Sequence, residues 1–378
     1  MARETVTWES LRELATFRAA NGCAISLYVD LDPSTAPTPA DVETRFHSLI
    51  NEAQKDADAR AYDHERKQAL GRDLNRIRVW WDADFDRDGS HGVALFASSL
   101  DGLWRTLELP DPVEDEIRLE RELYLAPLVP LVGRGDGALV AVVGRERGQV
   151  FRLRNGRLKE VVDQSEEQPG QHDQGGWSQA RYQRHIEKLV HDHLKTVGTE
   201  LDRRVRGAGR LRMVVVAPPE LRGEFESALS ADARESVVGW ATAEAHASPA
   251  ELLEVARPLF EQARAREVTE ALERWKSEAG RNGRAVAGWA QTLEAASDGR
   301  VELLLVQDGA NHEGYRCPKC ERGSALPGAC PVDGSQLERV EDGVDLALHR
   351  VLAFGGSVIP IDGDSLAAYE GVGALLRY

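Results

Sequence analysis

A polar loop that leads directly into a long amphipathic helix is the feature that most constrains this chain. The segment 163–174 contains Pro169, Gly170 and no large apolar residue, so it predicts a loop of low order. After Gly175 and Gly176, apolar residues recur at helical spacing, which predicts one buried helix face. The residues of this face are Tyr182, Ile186, Leu189, Val190 and Val197.

A second stripe on the same predicted helix is basic. Its members follow one another at steps of three and four residues, and they are Arg181, Arg184, Lys188, His191 and Lys195. Between residues 179 and 212 there are nine Arg or Lys against four Asp or Glu, in a chain whose net charge is -16. A local basic surface on an acidic protein predicts a nucleic-acid contact, although most charge runs are simply solvated.

Helix and strand patterns alternate along the 378 residues, which predicts an α/β fold with three domains. We predict these domains at 1–128, 129–265 and 266–378. No basic start precedes an apolar run, and no apolar run reaches the length of a membrane span. We therefore expect a cytoplasmic protein with no membrane partner.

Three of the four cysteines are clustered in the last predicted domain. The turns Cys317-Pro-Lys-Cys320 and Cys330-Pro-Val-Asp333-Gly334 are typical of the two knuckles of a zinc ribbon. Zinc accepts thiolates and carboxylate oxygens in a tetrahedral site, so we predict a structural Zn²⁺ site in the insert 317–334. Its ligands would be Cys317, Cys320, Cys330 and Asp333, with His312 as an alternative fourth ligand. A disulfide, or a site that has lost its metal, is the other interpretation.

Three further inferences concern the chain outside this insert. Cys23 stands alone at the start of a predicted strand, which favours a packed thiol. No Gly-x-x-x-x-Gly-Lys loop is present, so we predict no bound nucleotide. His185, His191 and His193 lack the spacing of a metallohydrolase helix, and we interpret them as surface or RNA-facing groups.

The loop and helix resemble those of the archaeal and eukaryotic class I peptide release factors. That pattern reads Gly-Gly-Gln-Ser-x-x-Arg-Phe-x-Arg, and the matching positions here are Gly175, Gly176, Ser178, Arg181, Tyr182 and Arg184. Trp177 stands in place of the motif Gln. The closing segment 371–378 resembles the last motif of the same superfamily, which includes Pelota. The bacterial release-factor-like branch, with the hibernation factor Balon, belongs to it as well.

The resemblance implies a tRNA-shaped protein whose third domain has the kink-turn-binding ribosomal-protein fold. It also implies that the loop reaches the peptidyl-transferase centre, where Gly175, Gly176, Trp177 and Gln179 are the candidate catalytic residues. Candidate RNA-binding residues are Gln174, Ser178, Arg181, Arg184, Lys188 and Lys195. The last two rest on helical geometry alone.

The expected function is that of a ribosome-associated translation factor that enters the A site. Its partners would be ribosomal RNA, P-site tRNA and a translational GTPase. Peptide release or rescue of stalled ribosomes is one outcome, and occlusion of the centre in dormant ribosomes, as in Balon, is the other. An enzymatic role is open because Trp177 lacks a carboxamide, and a tRNA nuclease or RNA-binding protein is a further alternative. The first domain has no match to the Asn-Ile-Lys-Ser codon-reading motif, so stop-codon recognition is not expected.

Overall fold

The computed structural model describes residues 6–86, 90–132, 137–154, 156–164, 177–206, 211–244, 246–281 and 283–378. In the helix that begins at Trp177, side chains are described from Glu187 onward. The chain divides into two compact units. One contains residues 1–133 together with 267–378, and the other contains residues 134–266. Both units combine helices with sheets, so the predicted α/β class is confirmed.

The N-terminal segment of the first unit forms an antiparallel sheet of order β3-β2-β1-β4. The buried side chains of β1 alternate between its two faces, as the two-residue period of a strand requires. Ile25, Leu27 and Val29 contact the helix pair α2 and α3, while Ala24 and Tyr28 belong to a core on the opposite face. The elements are α1 (Trp8–Ala15), β1 (Ala24–Asp30), α2 (Pro39–Ala59), α3 (His64–Ala83), β2 (Gly92–Ser98), β3 (Leu103–Leu109) and β4 (Glu116–Glu120).

The C-terminal segment of this unit contains a mixed sheet of order β10-β16-β11-β15 and a small sheet of order β13-β12-β14. The closing segment of the chain supplies β16, a fully buried strand between β10 and β11. The elements are β10 (Ala285–Ala287), α8 (Trp289–Ser297), β11 (Val301–Gln307), β12 (Gly314–Arg316), β13 (Gly323–Ser324), β14 (Glu338–Val340), α9 (Gly343–Ala353), β15 (Ser357–Ile361) and β16 (Val372–Leu376).

One hydrophobic core joins these two segments. Leu11, Tyr28 and Leu123 of the N-terminal segment belong to the same buried cluster as Trp289 and Leu348 of the C-terminal segment. Contacts between α1 and α9 are part of it. Residues more than two hundred positions apart in the sequence therefore stabilise each other.

The second unit is a five-stranded sheet of order β7-β6-β5-β8-β9, in which β5, β8 and β9 are parallel. Helix α4 covers one face of β5 and α7 covers the other, since alternate β5 residues join separate cores. The elements are β5 (Leu139–Val143), β6 (Gly148–Arg154), β7 (Arg157–Asp163), α4 (Trp177–Arg206), β8 (Met213–Val216), α5 (Pro219–Ala228), α6 (Ala231–Ser236), β9 (Val237–Ala241) and α7 (Pro249–Gly280).

The end of this unit differs from the sequence pattern in one respect. The sequence pattern predicts two helices, at 252–263 and about 266–278, with a charged connector near Arg264 between them. The structure has the single helix α7 there. The residues around Arg264 are Ala, Arg, Glu, Gln and Val without Gly or Pro, so nothing in the backbone chemistry ends the helix. The predicted boundary at 265 lies inside α7.

Candidate functional site

The predicted loop and the start of its helix are described only in part. Gln174, Gly175 and Gly176 lie outside the described residues. Trp177 is the first residue of α4, and Ser178 and Gln179 follow within its first turn. Arg181 and Arg184 also belong to α4, but their side chains lie outside what the structure describes.

From Glu187 onward, α4 separates into a buried apolar face and an exposed charged face, on which Asp192 lies between the two lysines. Lys188, His191 and Lys195 are exposed, and Nδ1 of His191 lies 3.2 Å from a carboxylate oxygen of Glu224. Residues at helical spacing on the other side are buried, namely Val190, Leu194, Val197, Leu201 and Val205. The predicted buried positions Val190 and Val197 are confirmed, and so is the exposure of both lysines.

The prediction for His193 was wrong. Its side chain is 4% exposed rather than surface-facing, because helical geometry places it beside Val190 and Leu194 on the buried face. Among the described residues, neither ring nitrogen has a hydrogen-bond partner. His193 lies over Gly148 of β6, where an added Cβ would come within 3.1 Å of the ring.

Close backbone packing holds α4 against its neighbours. Gly198 faces the end of α5, and a Cβ at this position would lie 2.9 Å from the carbonyl oxygen of Ala228. A backbone oxygen cannot rotate away as a flexible side chain can. The missing side chain at Gly198 therefore allows α4 and α5 to pack closely at this point.

The four predicted metal ligands converge in the C-terminal segment. One ligand atom from each of Cys317, Cys320, Cys330 and Asp333 lies within 4.8 Å of the others. Sγ of Cys320 is 3.4 Å from Sγ of Cys330, and Sγ of Cys317 is 3.3 Å from Oδ2 of Asp333. Ligand atoms bound to one tetrahedral zinc are about 3.3–3.8 Å apart, given zinc–ligand bonds of about 2.0–2.3 Å. The donor set therefore fits a zinc ion.

Two tight turns present these ligands. In the first, Glu321 N donates to the carbonyl oxygen of Cys317, and in the second Gly334 N donates to that of Cys330. Backbone donation from Ser335 N, together with its side chain, lowers the pKa of Asp333 to about 2, so this carboxyl is an anionic donor at neutral pH. All four cysteines are free thiols, which argues against the disulfide interpretation.

The alternative ligand His312 is placed elsewhere. Its ring stacks on Trp289 at a centroid distance of 5.7 Å, and it is not among the four converging groups. The structure therefore favours Asp333 as the fourth ligand.

Cys23 is buried as predicted and donates its S–H to the carbonyl oxygen of Glu120, 3.3 Å away.

Sequence reasoning missed the residue that anchors this centre. Glu321 follows Cys320 with φ of +62°, a left-handed conformation that favours Gly. Its carboxylate pairs with Arg18 of the N-terminal segment and with Arg350 of α9, the latter at 2.6 Å. Arg316 pairs with Glu122 close by. The only sign of this role in the sequence is that Glu321, and not a Gly, follows the Cys-x-x-Cys turn.

The sequence of this chain is similar to those of known proteins. The chain is 23% identical over 401 residues to peptide chain release factor subunit 1 of Archaeoglobus fulgidus, covering 97% of this chain and 96% of that one. It is 25% identical over 303 residues to the same factor of Thermoplasma acidophilum, with 72% of each chain covered. The predicted resemblance to the release-factor and Pelota superfamily is therefore confirmed.

The family match lies in the middle of the chain. Residues 124–261 match the model of bacterial archaeo-eukaryotic release factor family 10, so this release-factor-like segment contains the whole of α4. Among solved structures, archaeal translation termination factor aRF1 is 18% identical and covers 99% of both chains, with a TM-score of 0.27. Ribosome-bound archaeal Pelota is 19% identical over 76% of this chain and 77% of that one, with a TM-score of 0.42.

None of the described helices is both long and apolar enough to span a membrane.

Proposed function

We propose that this protein is a ribosome-associated translation factor that binds RNA through the exposed face of α4. The observation that supports this most strongly is that Lys188 and Lys195 are both exposed and lie two turns apart on the same side of α4. The opposite face of the same helix is buried. The helix lies inside the segment that matches a release-factor family.

The charge distribution determines how such a contact would behave. With a net charge of -16, most of the protein surface repels a phosphate backbone, so binding depends on a local basic area. The predicted contacts Arg181, Arg184, Lys188 and Lys195 would each neutralise one phosphate. Binding should therefore weaken as salt rises, because each counterion released into a more concentrated salt solution gains less entropy.

We further propose that α4 directs the Gly175-Gly176-Trp177 loop towards the peptidyl-transferase centre. Paired glycines allow the backbone to approach RNA closely. A backbone N–H there could stabilise oxyanion charge on the attacked ester. Trp177 keeps its backbone donor but offers no side-chain acceptor for water. Hydrolysis would then depend on Gln179, while Gln174 and Ser178 would serve as RNA contacts.

The second candidate function is occlusion of the A site and the centre without chemistry, as in hibernating ribosomes. The observation that favours it is Trp177 itself, since an indole provides a large stacking face for an unpaired base. Peptide release or rescue is favoured by the match of the surrounding positions to the release-factor motif. A nuclease or a general RNA-binding protein would need neither Trp177 nor the match to the release-factor motif.

Zn²⁺ bound by Cys317, Cys320, Cys330 and Asp333 would have a structural role. Four protein ligands leave no open position for water or substrate. The ion would supply fixed geometry to the insert, and Glu321 would connect that geometry to Arg18 and Arg350.

The resemblance to the release factors also suggests a partner. We propose a translational GTPase, since the chain has no nucleotide-binding loop of its own.

The test is co-sedimentation of the purified protein with ribosomes over a range of salt concentrations. We expect Lys188→Glu with Lys195→Glu to weaken binding and to reduce the salt slope by about 2, one per lost phosphate contact. The matched control is Lys159→Glu with Lys276→Glu, which makes the same charge change at two exposed lysines outside α4. Equal loss in both variants would show a general charge effect, and no loss in the first would reject α4 as the contact.

A further inference from the structure

A second group of metal-ligating side chains lies on the surface of the helix pair α2 and α3, away from the cysteines. It consists of Glu43 and His47 of α2 and Asp82 of α3. Nε2 of His47 is 3.9 Å from a carboxylate oxygen of Glu43 and 3.9 Å from one of Asp82. Each residue offers one ligand atom, and the three atoms lie within 4.8 Å of one another.

The spacing of the two ligands on α2 follows from helix geometry. Glu43 and His47 are four residues apart, so they lie one above the other on the same face. Imidazole and carboxylate at this spacing can bind one ion from one side of a helix. Only a residue from a neighbouring element can complete a three-ligand set.

Two contacts fix the register of α3 so that Asp82 takes this third position. The rings of Phe46 and Trp81, each the residue before a ligand, stack at a centroid distance of 4.1 Å and an angle of 7°. One turn further along the pair, Arg78 donates to the side-chain oxygen of Asn51 at 2.8 Å. Because both contacts hold the helices in one register, the three residues are neighbours before any ion binds.

The two carboxylates have no Lys or Arg beside them. Among the described residues, His47 is the only basic side chain within 4.0 Å of either carboxylate. All three side chains are open to solvent by at least a third, so an ion can reach them. Two nitrogen or oxygen ligands at about 2.1 Å from one tetrahedral zinc are about 3.4 Å apart. The observed 3.9 Å separations would each close by about 0.5 Å when an ion binds, a shift that small rotations of exposed side chains supply.

We propose that Glu43, His47 and Asp82 form a second metal site, which binds a divalent first-row transition metal such as Zn²⁺. One imidazole with two carboxylates suits zinc better than calcium or magnesium, which take oxygen ligands. Three protein ligands leave at least one open position for water or for an oxygen of a partner. Binding would also neutralise a local negative charge on an acidic protein.

The experiment is equilibrium dialysis of the reduced full chain against a zinc buffer of low micromolar free concentration, followed by elemental analysis. His47→Ala should bind one zinc fewer per chain than the natural sequence, and Asp82→Asn should lose the same equivalent. The matched control is His64→Ala, which removes an exposed imidazole at the start of α3 and should change nothing.

A second set of variants distinguishes zinc bound at the cysteine centre from zinc bound at the proposed site. In Cys317→Ser protein, adding His47→Ala should again remove one equivalent, because the two sites share no residue. The proposal is overturned if His47→Ala binds as much zinc as the natural sequence in both backgrounds. It is also overturned if His64→Ala loses the same amount, since zinc would then be bound by any exposed histidine.

Discussion

A buried imidazolium should make the stability of the first unit fall as the pH rises above neutrality. Nδ1 of His349 lies 3.1 Å from the carbonyl oxygen of Ala15, and Nε2 lies 2.7 Å from that of Leu123. Two carbonyl acceptors require two N–H donors, which only the protonated ring has. Burial lowers the pKa of His349, but the Asp345 carboxylate, Glu122 and the Leu123 carbonyl outweigh it and raise the pKa to about 9.

The size of the effect follows from this shift. A folded-state pKa of about 9 against an ordinary value of 6.5 corresponds to about 3.5 kcal/mol, since each tenfold change in proton affinity is about 1.4 kcal/mol. Because the folded-state pKa is raised, this contribution is fully present below pH 6.5 and is lost as the pH rises through about 9. The side chain is 5% exposed, so screening by solvent is small.

The perturbation is His349→Gln, which keeps a polar side chain that does not titrate. The assay is urea unfolding at several pH values between 6 and 9.5, followed by tryptophan fluorescence. Six of the eight tryptophans lie in the first unit, so the signal reports mainly on it. The natural sequence should lose up to about 3 kcal/mol more than the variant over this range. Parallel curves for the two proteins would refute the argument, and His64→Gln serves as the exposed control.

Three further predictions address the other parts of the molecule. Gly198→Ala should destabilise the second unit by about 1–3 kcal/mol because its Cβ meets a backbone oxygen of α5, whereas Gly223→Ala, with open space around it, should raise stability by about 0.5–1 kcal/mol in thermal unfolding. Cys317→Ser should abolish the thiol-bound metal in elemental analysis and lower protection of the 317–334 amides from hydrogen exchange, with the second unit unchanged. If the protein acts by occlusion, Trp177→Ala should weaken ribosome binding by about 1–3 kcal/mol; if it hydrolyses peptidyl-tRNA, Gln179→Ala should abolish peptide release while Trp177→Ala retains it.

The ion pairs of Glu321 connect the candidate metal centre to the N-terminal segment of the first unit. Glu321 lies directly after the ligand Cys320 and pairs with Arg18 and Arg350. We expect loss of the proposed Zn²⁺ to free the turn that places Glu321 and so to weaken its pair with Arg18. The candidate centre would then be coupled to the N-terminal segment as well as to the segment that contains it.

Much of the candidate metal centre could be predicted from the sequence. Two ligands in a Cys-x-x-Cys turn are brought together by local geometry, and the Cys-Pro-x-Asp-Gly turn does the same for the other two. Only the meeting of the two turns needs tertiary structure. The role of Glu321 could not be predicted, because its partners Arg18 and Arg350 are distant in the sequence and lie near it only in the folded unit.

The sequence by itself determined the α/β class, most of the strands and helices, the apolar face of α4 and the knuckle turns. All of these depend on periodicities or turn chemistry within a few residues. Tertiary structure alone decided that segments 1–133 and 267–378 share a core, that His349 is clamped between two carbonyls, and that Asp82 meets His47. These outcomes depend on which surfaces bury each other, and that choice minimises exposed apolar area over the whole unit rather than along one stretch of chain.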